Sequence, residues 1–454
     1  MLKRKVERYI EEYLKHTSNK MLVVEGARQI GKSYIIRHVG SRLFPNFIEI
    51  NMEQDRLNDR VFADARTVES FMLALSSVAG SKMGDTRDTL VFIDEIQAYD
   101  HMMTMVKFLM EDGRFRYIAS GSLLGLSLRN TQSVPVGSVE ILDMYPLDFE
   151  EFLWANGVND LLPDEIRRRF ASKESLPESL HGKVMDYFRR YLLVGGLPDA
   201  VNTYLSEHNI IKVRSVQRDV RDLYVADAAK YEREFSSRLK IQRIYKMIPA
   251  YMTQARKRIV FKEIEEKPGK RGSDYAEEFE YLVSSGIALE VDAISRPTYP
   301  LVQNAGKNLL KLYLNDVGLL TMILYDNNIL PVLRDETSVD LGSVYESVVA
   351  QELKAHGYSL YYYDNKKIGE VDFLVDDAKN LSVLPLEVKS GKDYTVHRAL
   401  DKFIKVSDYR VSEAYVLSNA REVYKDDAGV TYMPVYYVMC LHRSPDLGFS
   451  ELMF

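Results

Sequence analysis

The chain has 454 residues, enough for about three domains at ~150 residues each, and it is 46% apolar and 28% charged, which excludes wholesale disorder. Sixty Lys and Arg against 66 Asp and Glu give a formal net charge of −6, excluding a uniformly basic, histone-like binder while allowing local basic patches. One cysteine, Cys440, excludes an internal disulfide and a thiolate zinc cluster, and no apolar run approaches the ~18–20 residues of a membrane span. The basic start at Met1–Lys5 continues into Val6-Glu7-Arg8 instead of an apolar core, so no signal peptide is read there. A soluble, cytoplasmic chain with no membrane partner is expected.

From residue 21 to about 150, short apolar runs alternate with helical patterns, the rhythm of an α/β unit with a parallel sheet flanked by helices. Strands are predicted at Met21–Glu25, Phe47–Asn51, Leu90–Asp94, Arg116–Ser120 and Val139–Asp143. Between the first of these and a helix at Tyr34–Val39 stands Gly26-Ala27-Arg28-Gln29-Ile30-Gly31-Lys32-Ser33, the pattern of a Walker A loop. Glycines let backbone amides turn around anionic oxygens, and the helix N-terminus adds partial positive charge. Lys32 is expected on the β/γ-phosphates and Ser33 on Mg²⁺, with Tyr34 completing the nucleotide-contacting set. Leu90-Val91-Phe92-Ile93 then delivers Asp94 and Glu95 to the carboxyl end of a buried strand, where ligands sit in open α/β sheets. Asp94 is assigned to the Mg²⁺ shell and Glu95 to polarising the attacking water. Ser120 and Ser122, ending the next strand, are either a sensor of the γ-phosphate or serines in a turn.

The polar, proline-bounded stretch Leu162–Pro177 marks a boundary or excursion, and helices dominate from about 183 to 255, with a break at Gly195-Gly196-Leu197-Pro198. Helices at Leu239–Met252, Phe261–Ile264 and Tyr275–Ser285, then apolar runs at Ile287–Val291 and Lys311–Leu314, suggest a winged helix. Lys257, Arg258, Lys262, Lys267, Lys270 and Arg271 cluster there, either as a track for a DNA backbone or as a solvated basic face.

A third unit starts near Asp340. A helix at Ser343–His356 bearing Glu346 precedes strands at Tyr358–Tyr363, Glu370–Val375 and Val383–Val388, a helix at about Val396–Val406 and a strand at Ala414–Leu417. Asp372 lies in the second strand, and Glu387-Val388-Lys389 ends the third. Alternation along a strand puts Glu387 and Lys389 on one face. Asp372 and Glu387, with Glu346, can hold Mg²⁺, while Lys389 steadies the attacking water or the developing charge. Pro385 within the strand argues for an edge or a bulge. The histidines, among them His101, His181, His208, His356, His397 and His442, lack ligand spacing.

The Walker pair resembles that of AAA-type P-loop ATPases. The set formed by Phe92-Ile93-Asp94-Glu95-Ile96-Gln97, Ser120-Gly121-Ser122, Tyr145–Phe152, Leu193–Pro198 and Tyr313–Leu320 is similar to a family of predicted prokaryotic ATPases with a C-terminal nuclease-like domain. The resemblance spans most of the chain. It implies a winged-helix-like middle region, and the last unit resembles the core of restriction-endonuclease-like proteins. Where such ATPases carry an arginine shortly before the Tyr-Pro-Leu segment, this chain has Gly137-Ser138-Val139, leaving Arg129 as the nearest arginine-finger candidate. The expected organisation is a P-loop module at 1–180, a helical and winged-helix-like module at 181–335 and a nuclease-like module at 336–454. The leading reading is an ATP-binding and ATP-hydrolysing protein that couples nucleotide state to DNA binding or processing. Its rival is an ATP-dependent regulatory switch that binds a protein partner and keeps a catalytically silent nuclease fold. A protein-remodelling ATPase is disfavoured, because no pore-loop pattern is visible.

Overall fold

The computed structural model describes residues 2–16, 18–85, 87–122, 137–231, 235–254, 257–265, 271–336, 339 and 341–443. Two compact units emerge: residues 1–145 with Glu280–Ile287, and Pro146–Phe279 with Ala288–Phe454.

In the first unit the chain runs α1 (Lys5–Lys15), β1 (Met21–Glu25), α2 (Lys32–Leu43), β2 (Asn46–Asn51), α3 (Met52–Leu57), α4 (Val68–Ala79), β3 (Thr89–Asp94), α5 (Asp100–Asp112), β4 (Arg116–Gly121) and β5 (Val139–Asp143). The strands form one sheet in the order β2-β3-β4-β1-β5, every neighbouring pair parallel. The five predicted strands are these five, to within a residue at each end. Their side chains obey the period of two. Met21, Val23, Ile48, Ile50, Val91, Ile93, Tyr117 and Ala119 share one buried cluster with Phe71 and Leu75 of α4 and Met102, Val106 and Leu109 of α5. Leu22, Val24, Phe92 and Ile118, at the alternate positions, are also fully buried. With both faces covered, the strands read as continuous apolar runs. A reciprocal Thr67–Ser70 capping box starts α4.

The second unit opens with helices α6 (Phe149–Ala155), α7 (Leu161–Ser172), α8 (Glu178–Val194), α9 (Pro198–Glu207), α10 (Ile210–Tyr231) and α11 (Phe235–Met252). Asp148 caps α6 in a box with Glu151. Next come α12 (Phe261–Glu265), α13 (Ala276–Ser284, whose last turn lies in the first unit), β6 (Ala288–Ile294), β7 (Ala305–Leu314), α14 (Val317–Tyr325) and α15 (Leu330–Leu333). The chain closes with α16 (Gly342–Ala355), β8 (Tyr361–Asn365), β9 (Gly369–Asp377), β10 (Ser382–Val388), α17 (Arg398–Phe403), β11 (Ala414–Ser418), β12 (Tyr424–Lys425) and β13 (Val430–Pro434). The helices and ribbon predicted for the middle region are present, but the ribbon does not stand alone. Strand β6 pairs parallel with β8, so both ribbon strands join one mixed eight-stranded sheet, β12-β13-β11-β10-β9-β8-β6-β7. Tyr361 and Tyr363 lie in the buried cluster on one face of that sheet, with Leu400 and Phe403 of α17, so these tyrosines are core. Pro385 is in an interior strand, not at an edge. It is opposite Leu374 of β9, and the ladder to β11 begins only at Leu386, so its missing N–H falls where pairing on that side is interrupted.

The Tyr-Pro-Leu, Gly-Gly-Leu-Pro and Asn-Asp-Val-Gly motifs meet in a buried polar latch. Leu147 N–H donates to the Gly196 carbonyl (2.7 Å), and the Tyr191 hydroxyl to the Leu147 carbonyl (2.6 Å). Asp316 accepts from Gly196 N–H at 2.6 Å and caps α14 through Leu319 N–H at 3.1 Å. A Cβ on Gly196 would lie 2.0 Å from the Leu147 carbonyl oxygen, so no larger residue fits there. Burial pushes the Asp316 pKa up to about 6, against the backbone donors that favour its ionised form. Asp316→Ala removes the cap and strands a buried N–H. The expected loss is about 2–4 kcal/mol, read as a lower urea midpoint at unchanged slope.

Candidate functional site

The Walker loop leaves β1 at its carboxyl end, beside the point where neighbouring strands are reached in opposite directions. Gly26 has φ 147, and a Cβ there would sit 2.2 Å from the Met144 carbonyl oxygen. Gln29 (φ 63) and Gly31 (φ 94) complete the turn, and α2 begins at Lys32, aiming its unpaired N–H groups at the loop. Ala27 and Ile30 have buried side chains, which leaves only their backbones to meet a ligand, whereas Tyr34 on α2 is more than half exposed. Lys32 is 6% exposed. Its ammonium donates to the carbonyls of Gly26 (2.8 Å) and Ala27 (2.7 Å). Burial pulls its pKa down to about 8, opposed by Glu95 and Asp94, while Arg28 adds to the depression.

Asp94 is the hub. Ser33 Oγ donates to both of its carboxylate oxygens at 3.0 Å, Asn51 Nδ2 donates to Oδ2 at 3.0 Å, and the Ser120 hydroxyl bonds Oδ1. Glu95, in the left-handed region at φ 52, accepts from Gln97 Nε2 at 2.5 Å and from Ser122 Oγ at 3.1 Å. Lys32, Ser33, Asp94, Glu95 and Ser120 therefore converge from the ends of β1, β3 and β4. A hydroxyl beside a carboxylate fits Mg²⁺, which takes one or two protein oxygens and completes its shell with phosphate and water.

Three further residues were not singled out from the sequence. Asn51 ends β2, and its place at the carboxyl end of a strand was the available signal. Gln97 stood inside the quoted Walker B segment. Arg4 gave no signal. It is buried and donates to the Ile30 carbonyl (3.1 Å) and the Tyr145 carbonyl (2.7 Å), bracing the loop from the N-terminal segment. Arg129 lies outside the described residues.

A second cluster forms around the C-terminal sheet. Strands β9 and β10 are antiparallel neighbours, with Leu386 opposite Phe373, so Asp372 and Glu387 come next to each other one step further on. Asp372 Oδ2 accepts from Val388 N–H at 2.8 Å, and Lys389 Nζ donates to Glu387 Oε1 at 2.7 Å. Glu346, from α16, is buried and bonded to Lys257 and to the Tyr313 hydroxyl (3.1 Å), while Lys311 pairs with Glu370 at 2.5 Å. Burial, reinforced by Glu387, pushes the Asp372 pKa up to about 6. Glu346 and Glu387 are raised too, each chiefly by burial.

Two expectations change here. Lys257 and Arg258 do not belong to a solvated basic face, because Lys257 pairs with Glu346 and Arg258 with Asp364. Buried carboxylates draw in counter-charges, since an unpaired one is costly. Of the other basic residues, Arg271 is exposed, whereas Lys267, Lys270 and the Lys262 side chain lie outside what is described. Nor are Glu346, Asp372 and Glu387 assembled as a metal cage. Among the described residues no group of three His, Cys, Asp or Glu side chains is set to hold an ion. Lys257, Lys311 and Lys389 pair instead with Glu346, Glu370 and Glu387.

Residues 18–153 match a family model described as an AAA domain. Residues 185–328 and 341–438 match two domains of unknown function, DUF8612 and DUF4143. No curated protein matches the chain. Among solved structures, the S. cerevisiae Hsp104–ADP complex is 12% identical, with 77% of this chain and 42% of that one covered, at a TM-score of 0.30. C. elegans PCH-2 is 14% identical, with 38% and 48% covered, at a TM-score of 0.22. The chain spans less than half the length of either. The parallel sheet, the loop and the family match define an AAA-type P-loop ATPase unit, a class that binds and hydrolyses ATP. No helix among the described residues is long and apolar enough to cross a membrane.

Proposed function

We propose that Gly26–Ser33 cradles Mg·ATP, with Lys32 on the β/γ-phosphates, Ser33 and Asp94 on the metal, Glu95 orienting the attacking water and Ser120 reporting the γ-phosphate. The observation that carries this is the convergence of Ser33, Asn51 and Ser120 on one Asp94 carboxylate beside a buried lysine. Magnesium supplies charge neutralisation for the transferring phosphoryl group. The chain's own residues hold it, orient the water and accept its proton.

The C-terminal sheet is read as a restriction-endonuclease-like domain in which Asp372 and Glu387 serve a metal and Lys389 the developing phosphorane charge, acting on DNA under the control of the ATPase unit. The facing of Asp372 and Glu387 across β9 and β10 supports this. A second reading, a catalytically silent fold in a nucleotide-driven switch that engages a protein partner, is favoured by the lysines that already balance the carboxylates.

Plasmid cleavage with Mg²⁺ in the presence of ATP, ADP or neither separates the two. Asp372→Ala and Glu387→Ala are expected to abolish metal-dependent nicking and leave ATP binding intact, and Lys389→Ala to slow nicking about 10²-fold while still binding metal. Absence of nicking by wild type in every nucleotide state, or equal nicking by the Asp372 variant, leaves the switch.

A further inference from the structure

Lys257 lies in the irregular segment between α11 and α12, yet its side chain is only 19% exposed and meets a Glu346 side chain that is 5% exposed. A lysine on a surface track keeps its ammonium in water, since that head is strongly hydrated. This one enters a group of four carboxylates, Glu346, Glu370, Asp372 and Glu387, whose other cations among the described residues are Lys311 and Lys389. Among the described residues, three ammonium groups stand against four carboxylates, one cation fewer than acids. The shortfall has a location. Glu387 is buried, and its Oε2 has no hydrogen-bond partner, a standing cost that a cation would remove.

The three lysines differ in how they are held. Lys311 is within β7, and Lys389 directly follows β10, with its own N–H bonded to the Leu417 carbonyl at 2.9 Å. Lys257 lies on irregular backbone that is tied to β7 two residues on, where Ile259 N–H donates to the Leu310 carbonyl at 3.3 Å, so its flexible side chain can swing away without opening the sheet. It also takes the helix-borne carboxylate that a divalent ion between the helix and the two strands would need.

We propose that Lys257 is a tethered cation that closes the carboxylate centre to divalent metal, Glu346 becoming a ligand only when Lys257 is withdrawn. This rests on the reading of Asp372 and Glu387 as metal ligands, and it adds to that pair Glu346 and a gate from a residue 89 positions upstream of Glu346. The gate requires no titration. The ammonium and the metal compete for the same oxygens, and the divalent ion gains where the monovalent one leaves the cluster short.

The test is Mn²⁺ binding to the full chain without nucleotide, followed by the loss of the free-ion paramagnetic resonance signal. Lys257→Met is expected to bind one Mn²⁺ about tenfold or more tighter than wild type, the size of effect a unit charge exerts over a few ångströms at a partly buried site. Adding Asp372→Asn should remove the gained site. Equal Mn²⁺ affinity in wild type and Lys257→Met, at a site that Asp372→Asn abolishes, would overturn the gate and leave the metal-centre reading standing. No Asp372-dependent site in either protein would overturn both. Should melting curves show that Lys257→Met does not fold, Lys257→Gln, which keeps a hydrogen bond to Glu346 without the charge, gives the same comparison.

Discussion

Replacing Lys32 with alanine is expected to abolish the stabilisation that MgATP gives the wild-type protein. A ligand that binds only the folded state adds about 2.7 kcal/mol of apparent stability at a hundred times its Kd. Lys32 supplies an ammonium that donates into the loop, to the Gly26 and Ala27 carbonyls, and its truncation leaves the polyphosphate without that charge. Thermal unfolding with and without MgATP measures the effect, and an undiminished shift in the variant would place the phosphates elsewhere. A pH dependence accompanies it. Burial holds the Lys32 pKa at about 8 in the free protein, and the phosphates raise it. Below pH 8 the amine is already charged and affinity is flat. Above pH 8 binding must take up a proton, so affinity falls by up to about tenfold per pH unit until the raised pKa is reached. Titration calorimetry at pH 9 in buffers of different ionisation heat reads the proton uptake directly.

How legible each part was depends on how far apart its residues lie in the chain. The loop is eight consecutive residues between a strand and a helix, and the Walker B acids end an apolar run, so both were visible locally. The carboxyl-end rule for parallel sheets then brought Ser33, Asp94 and Ser120 together without any knowledge of strand order. Asn51, 43 residues from Asp94, obeys the same rule, but nothing local distinguishes it from an ordinary strand end. The C-terminal acids were found because alternation along β10 and pairing with β9 are short-range. Their counter-charges were not. Lys257 reads as part of a basic run, and a basic run is usually solvated, yet the buried acid that recruits it comes 89 residues later. The ribbon failed in the same way. Its two strands are recognisable, but the parallel pairing of β6 with β8 depends on a partner beyond three intervening helices. The Gly-Gly-Leu-Pro and Asn-Asp-Val-Gly motifs had no assigned chemistry because their role is mutual: Asp316 satisfies Gly196 across 120 positions.

Glu95→Gln is expected to separate nucleotide binding from turnover. The two acids at the end of β3 are held differently. Asp94 is only 5% exposed and bonded to Ser33, Asn51 and Ser120, which on the proposed reading puts it on the metal side of the site. Glu95 turns away in a left-handed backbone conformation, and Gln97 and Ser122 hold one of its oxygens. Glutamine keeps the size and an oxygen to accept those two bonds, so the loop, the Ser33–Asp94 pair and Lys32 stay in place. Only the ability to take a proton from the attacking water is lost. General-base catalysis of this kind contributes ~10²–10⁴-fold, so steady-state ATP turnover should fall by that factor while the MgATP-dependent thermal shift persists. Asp94→Asn supplies the contrast, because it should weaken the Mg²⁺-dependent part of binding as well. Single-turnover hydrolysis by pre-bound variant protein isolates the chemical step from product release. Wild-type turnover in Glu95→Gln would remove Glu95 as the base and pass the role to another group near the γ-phosphate. Loss of binding together with turnover would mean instead that the bonds from Gln97 and Ser122 shape the loop itself, which Ser122→Ala, retaining the carboxylate but losing one of its two donors, would then reproduce.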